Sequence, residues 1–175
     1  MDIKDFIRTI PNFPKEGILY RDITSLLEDP RGLKMAVERI CERYQDQKIN
    51  FVVGVEARGF IFGTAVAYKL NAGFVPLRKP GKLPGPTVGK DYALEYGQDR
   101  IEMHQGVLAQ GDRVLIVDDL IATGGTAEAA VELVRGTGAS VHECCFVIDL
   151  PDLGGVERLQ KLDCKSYCLC QFEGH

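Results

Sequence analysis

Residues 114–126 read Val-Leu-Ile-Val-Asp-Asp-Leu-Ile-Ala-Thr-Gly-Gly-Thr, and this stretch decides the fold. The apolar run Val114 to Val117 is typical of a central parallel strand, covered on both faces. Two carboxylates, Asp118 and Asp119, follow it. A loop of small residues then opens directly into a helix predicted over Thr126 to Arg135. Its Ala129, Ala130, Leu133 and Val134 share one face, and Gly136 and Gly138 mark its end. Ligands on open α/β sheets sit at the carboxyl ends of strands, where this loop must lie.

The same rhythm extends in both directions. Upstream, Phe51 to Val55 and Gly73 to Leu77 read as short strands around a buried helix, Gly59 to Leu70. Asp29-Pro30 reads as an N-cap followed by proline at the first helical position. Leu33, Ala36, Val37, Ile40, Cys41 and Tyr44 then line one helical face. At the N-terminus, Ile3, Phe6, Ile7 and Ile10 recur at helical spacing, which predicts a first helix stopped by Pro11. Downstream, Val141 to Leu150, Leu153 to Leu162 and Ser166 to Phe172 repeat strand, helix, strand. The pattern predicts an α/β fold, with a mostly parallel central sheet flanked by helices. At 175 residues the chain suits a single domain, 1–175.

One stretch breaks the rhythm. Residues 80–89, PGKLPGPTVG, are mostly proline and glycine and are flanked by Arg78, Lys79 and Lys90. Tyr92 to Tyr96 and Arg100 to His104 then read as a hairpin turning at Gly97. A long irregular insertion in a compact domain is usually functional or disordered, and its basic residues suit an anionic ligand.

The chemistry follows from the loop after Asp119. Gly124 and Gly125 let backbone N–H groups approach an anion, and the helix N-terminus adds favourable partial charge. Thr123 and Thr126 supply hydroxyl donors. Together with Ala122 these residues make a cradle for a phosphate monoester. Two acids beside a phosphate site conflict only if they address the phosphate. Carboxylates accept hydrogen bonds from a vicinal diol, so the pair points to a ribose 5-phosphate. A plain tight turn with an acidic cap is the bland alternative. There is no GxGxxG after a strand and no GxxxxGK[ST] anywhere.

Composition narrows the classes further. Hydrophobic residues make up 45% of the chain, enough for a core, and the net charge of −4 disfavours binding to a nucleic-acid backbone. No apolar run approaches the ~20 residues of a membrane helix, and the first residues lack the apolar region of a secretory signal. Six cysteines occur without a CxxC pair. They read as small buried hydrophobes in a reducing cytoplasm, so neither a disulfide nor a cysteine–zinc site is expected.

Residues 114–126 resemble the ribose-phosphate signature of the type I phosphoribosyltransferases. The resemblance runs along nearly the whole chain through Asn12-Phe-Pro14, Gly17, Tyr20-Arg-Asp-Ile-Thr24, Val55-Glu-Ala-Arg-Gly-Phe60, Arg78-Lys-Pro-Gly-Lys-Leu-Pro-Gly-Pro-Thr87 and Leu94-Glu-Tyr-Gly97. The second, third and fourth of the longer segments narrow it to members that use adenine. It implies the type I fold with a small N-terminal hood, about 1–30, and a flexible β-hairpin lid, about 79–104. It also implies transfer of a 5-phosphoribosyl group from 5-phosphoribosyl 1-diphosphate to adenine, giving AMP and diphosphate with Mg²⁺, by a homodimeric enzyme. Nucleic acid and membrane are not expected as partners.

Residue by residue, Ala122 to Thr126 match the family's 5-phosphate loop, and Asp118 and Asp119 its ribose-hydroxyl acids. Glu56, Ala57, Arg58 and Gly59 match its diphosphate loop, which holds a non-proline cis peptide. Arg58, Arg78 and Lys82 are the expected diphosphate cations, whereas Lys90 reads as solvated surface. Glu95 matches the lid glutamate that manages the purine proton, beside Tyr96. Leu19 to Arg21 of the hood are placed against the base, with Leu120 and Leu150 as apolar walls and Phe13 as a stacking candidate. Mg²⁺ is expected on diphosphate and ribose oxygens with waters, without a protein cage. Two alternatives stay open: a relative that uses another purine, and a noncatalytic sensor on the same fold.

Overall fold

The computed structural model describes residues 1–94 and 96–174. A 3₁₀ turn at Ile3–Phe6, capped by Asp2, is followed by β1 (Arg8–Pro11), not by the predicted continuous helix. A single turn satisfies the spacing of Ile3, Phe6 and Ile7, all buried. From Arg8 onward the chain pairs with β2 (Leu19–Asp22), and Arg8 Nε meets Asp22 Oδ2 at 2.5 Å across the ribbon. The loop between these strands contains a cis Phe13–Pro14 bond.

α1 (Thr24–Glu28) leads into α2 (Pro30–Tyr44). The Asp29 carboxylate accepts from the Arg31 N–H at 3.0 Å, so the predicted cap and Pro30 start the helix together. β3 (Phe51–Val55), α3 (Arg58–Leu70) and β4 (Gly73–Leu77) follow. Asn71, left-handed at φ 57°, ends α3. Phe74 fills the space that Gly54 and Gly63 leave; a Cβ at either would sit 2.7 Å from its ring.

β5 (Thr87–Ala93) and β6 (Gln98–His104) form the hairpin. β5 begins five residues before the predicted Tyr92 and stops before Leu94. Its start lies in a stretch rich in turn residues, where pairing with Met103 and His104 overrides local preference. Then come β7 (Arg113–Ile121), α4 (Gly125–Arg135), β8 (Ser140–Asp149), α5 (Gly155–Gln160) and β9 (Ser166–Gln171). The predicted helix from Leu153 is split: Pro151–Leu153 is a 3₁₀ turn, and Gly154 at φ 80° starts the shorter α5.

The central sheet has the order β4-β3-β7-β8-β9, every pair parallel. Along β7, Leu115 and Val117 face the core with α2 and α3, while Val114 and Ile116 face the core with α4. Both faces are covered, which is why the run is apolar without alternation. Five of the six cysteines are buried as small core residues, and all six are free thiols.

From β3 the chain crosses to β4 on one side, and from β7 to β8 on the other. The carboxyl ends of β3 and β7 therefore flank a topological switch point, where a crevice opens.

Candidate active site

Two cavities occupy that crevice. The larger, about 560 Å³, is lined by the loop after β7, and all of Ala122, Thr123, Gly124, Gly125 and Thr126 face it. Gly124 is left-handed at φ 90°, a conformation that side chains other than glycine rarely adopt. A Cβ there would also meet Gly155 Cα at 3.0 Å and its carbonyl oxygen at 3.1 Å. α5 thus presses on the loop, and Arg158 brings its guanidinium to the cavity wall, ion-paired with Glu128 of α4.

The smaller cavity, about 170 Å³, is lined by Glu56, Ala57, Arg58, Arg78, Asp118 and Asp119 among others. The two acids lie within β7, not beyond it, because the strand runs on to Ile121. The Asp119 N–H donates to Asp118 Oδ1 at 2.8 Å, and Arg58 Nε donates to Asp119 Oδ2 at 2.5 Å. Burial, and then the neighbouring Asp119 charge, push the Asp118 carboxyl well above its ordinary range. Across the cavity Arg78 Nε and the Lys79 N–H both donate to Glu56 Oε1, at 2.9 and 3.2 Å. Burial raises the Glu56 pKa, but these bonds outweigh it and hold the group below its usual value. The Glu56–Ala57 peptide bond is cis, as the resemblance implies. Gly59 packs against β7; a Cβ there would lie 3.0 Å from Asp118 Oδ1.

The remaining expected residues divide. Leu120 lines both cavities. Leu150 lines neither; it is a buried core residue whose N–H donates to the Ile121 carbonyl and ties β8 to the end of β7. Lys82 is exposed on the hairpin approach and lines neither cavity, although its charge reaches Glu56. Leu19 and Arg21 lie on β2 of the ribbon, off both walls. The Arg21 guanidinium bonds Thr9 and the Glu173 carbonyl and stacks on Phe172, so it fastens the hood to the chain's end. Phe13 packs edge-on against Tyr20, and Tyr96 is exposed. Glu95 lies outside the described residues.

Other residues that the sequence did not single out for the site gather there. Lys79 lines the smaller cavity and is ion-paired with Asp99, whose carboxyl it holds below the usual range. Tyr92 lines both cavities. The basic run Arg78-Lys79 was a signal for Lys79; nothing local marked Asp99. Among the described residues no group of three His, Cys, Asp or Glu side chains is placed to hold a metal.

A glycine loop at the start of α4, with two threonine hydroxyls, thus adjoins an acid pair and a cationic end. The phosphoribosyl transferase domain family matches residues 23–169. The adenine phosphoribosyltransferase of Nitrosomonas europaea is 58% identical over 173 residues, covering 99% of each chain. The chain belongs to the adenine phosphoribosyltransferase family. The Nitrosospira multiformis relative is likewise 58% identical, over the full length of both. Among solved members of the family, the Rhodothermus marinus enzyme superposes with a TM-score of 0.90 at 49% identity, covering 97% of this chain and 96% of its own. The Saccharomyces cerevisiae enzyme, complexed with adenine and an imino-altritol bisphosphate, gives 0.88 at 40% identity and 96% coverage of each. The family's activity is phosphoribosyl transfer, and the parallel five-stranded sheet with its flanking helices is its fold.

Proposed function

We propose that the chain transfers the 5-phosphoribosyl group of 5-phosphoribosyl 1-diphosphate to N9 of adenine, releasing diphosphate and forming AMP. The observation that carries this reading is the shared wall of the two cavities, where Asp118 and Thr126 face both sides. A sugar lying along that wall puts one phosphate in the Ala122–Thr126 loop and its diphosphate toward Arg58, Arg78 and Lys79.

The bond from the anomeric carbon to diphosphate breaks and the bond to N9 forms, with oxocarbenium character between them, as in glycoside cleavage. Asp118 and Asp119 accept from the ribose hydroxyls and set negative potential beside the developing positive charge. The 5-phosphate loop anchors the far end of the sugar, which fixes its orientation for attack. Arg58 and Arg78 hold the departing diphosphate. The N9 proton is assigned to Glu95. The hairpin, as a lid, excludes water that would capture the cation. Leu120 forms an apolar wall for the base. The hood strand β2 offers main-chain acceptors for the adenine amino group, its outer edge lacking a strand partner among the described residues.

Two adjacent carboxylates fit Mg²⁺ carried by ligand oxygens and waters, and when bound it supplies charge neutralisation to the diphosphate. The whole chain would act as one catalytic unit. A homodimer is supported by Ile61 and Tyr68, both exposed and seven residues apart on α3, and sedimentation at several concentrations tests it. The buried thiols suit the cytoplasm. Among the described residues no helix is long and apolar enough to cross a membrane.

Diphosphate release measured with adenine, hypoxanthine, guanine, xanthine and orotate in parallel tests the reading. Release with adenine alone is expected, lost in Asp118→Asn/Asp119→Asn although that variant still melts cooperatively. Release with another base instead overturns the adenine assignment and leaves the ribose site standing. Tight binding of the sugar diphosphate without turnover would make the protein a sensor.

A further inference from the structure

A sugar spanning both cavities must touch whatever lines both. Four residues do so: Asp118, Leu120, Thr126 and Tyr92. The first three already have roles at the site. Tyr92 comes from the hairpin and not from the sheet, and its ring lies close to Gly125, 3.6 Å from where a Cβ would be.

The Tyr92 hydroxyl sits within a chain of side chains. Thr126 Oγ1 donates to it at 3.3 Å, and it donates to Asp99 Oδ2 at 3.2 Å. Asp99 stands opposite Tyr92 across the hairpin and is ion-paired with Lys79. The phenol is therefore fixed at both ends before any ligand arrives. The Thr126 proton can turn from the phenol toward a bound phosphate, a charge-assisted and stronger acceptor. That turn leaves the phenol oxygen with an open lone pair at a residue that lines both cavities. The hydroxyl keeps its own proton and donates it to the Asp99 carboxylate, which makes the oxygen a better acceptor.

We infer, on the reading of both cavities as one phosphoribosyl site, that Tyr92 contacts the sugar and accepts from a ribose hydroxyl. Asp99 is the positioning residue that holds the phenol, and Lys79 anchors Asp99. Sugar recognition then comes from two sides, acids on the sheet and a phenol on the hairpin. No bond is made or broken by Tyr92.

Calorimetric binding of ribose 5-phosphate and of inorganic phosphate to wild type, Tyr92→Phe, Asp99→Asn and the double variant tests this. Ribose 5-phosphate has no diphosphate, so changes at the Lys79 end do not enter directly. Tyr92→Phe is expected to weaken ribose 5-phosphate about three- to tenfold, the size of one neutral hydrogen bond. Inorganic phosphate binding should stay unchanged. Asp99→Asn should weaken the sugar phosphate less, and add nothing once Tyr92→Phe is already in place. Unchanged sugar-phosphate binding in Tyr92→Phe overturns the inference. So does an equal loss of inorganic phosphate, which would make the phenol a support for the loop. If the wild type binds no ribose 5-phosphate, the phosphoribosyl reading itself falls, a result distinct from the other two.

Discussion

The loops after β3 and β7 lie side by side at the switch point, yet they are held by different forces. Residues 122–126 are held by shape: Gly124 in a left-handed conformation, with Gly155 of α5 so close that a side chain has no room. Residues 56–59 are held by charge, with Glu56 bonded to Arg78 and Arg58 bonded to Asp119. Shape is local and unforgiving. Charge reaches across the sheet, responds to pH, and can be lent to a ligand. A 5-phosphate that remains on the sugar throughout suits the first kind of loop. A diphosphate that must leave suits the second.

Breaking the shape should have the largest effect. Gly124→Ala forces a Cβ into the Gly155 backbone and a left-handed alanine into the loop, which costs ~1–2 kcal/mol of conformation before any ligand binds. Misplacing the bound phosphate by even an ångström is expected to lower kcat/KM for 5-phosphoribosyl 1-diphosphate by about 10²-fold or more. Steady-state kinetics with that substrate varied measures it. A variant that keeps wild-type kinetics would show that the loop is not held by steric fit.

Breaking the charge should cost less and depend on pH. Glu56→Gln keeps the shape and removes one charge-assisted partnership, which is expected to lower kcat/KM about three- to tenfold. The folded-state pKa of Glu56 lies below its ordinary 4.5. Its stabilising contribution is therefore complete above that value and is lost as pH falls through the lower folded one. Acidification should loosen residues 56–59 while 122–126 hold. Amide-exchange protection factors for the two loops, followed downward through the carboxylate range, separate them, and Glu56→Gln should abolish the difference.

Asp118 joins the two regions and has the opposite sign. Its pKa is raised, so the folded chain binds a proton that the unfolded chain has released, and stability falls as pH rises from about 4 toward the raised value. Asp118→Asn removes that penalty. The variant should lose activity and yet melt higher at neutral pH, by roughly 2–4 °C for each kcal/mol relieved in a domain of this size. A lower melting temperature would mean that the ionised carboxylate stabilises the free protein.

The contrast also explains what the sequence disclosed. The loop held by shape is a contiguous string, strand, acids, glycines and helix, so both the central strand and the loop that lines the larger cavity were legible from residues 114–126. The charge-held loop was legible only through Glu56-Ala-Arg-Gly59 itself; its partners lie 22 and 61 residues away in sequence. Asp99 and Tyr92 were hidden for a sharper reason. They meet because the hairpin register places them opposite each other, and register depends on turn geometry that composition does not fix. At the N-terminus, one turn of 3₁₀ helix mimicked the spacing of a longer helix, and the ladder with β2 decided the rest. Leu150, apolar and next to a strand end, looked like a pocket wall, and only packing revealed a core residue.

The smallest effect tests whether cationic charge near the crevice is enough by itself. Lys90 lies on the same hairpin as Tyr92, but its ammonium pairs with Glu132 of α4 at 2.9 Å, on the outer side, away from both cavities. Exposed pairs of this kind contribute little. If the diphosphate end worked through general positive potential, Lys90→Ala would raise KM for the sugar diphosphate, and more so at low salt. If it works through residues fixed at the cavity wall, Lys90→Ala should leave kcat and KM within about twofold at every ionic strength, whereas Arg78→Ala should not. We expect the second result, because each charge of the β3 loop is held at the cavity wall by a named partner, and Lys90 has its partner elsewhere.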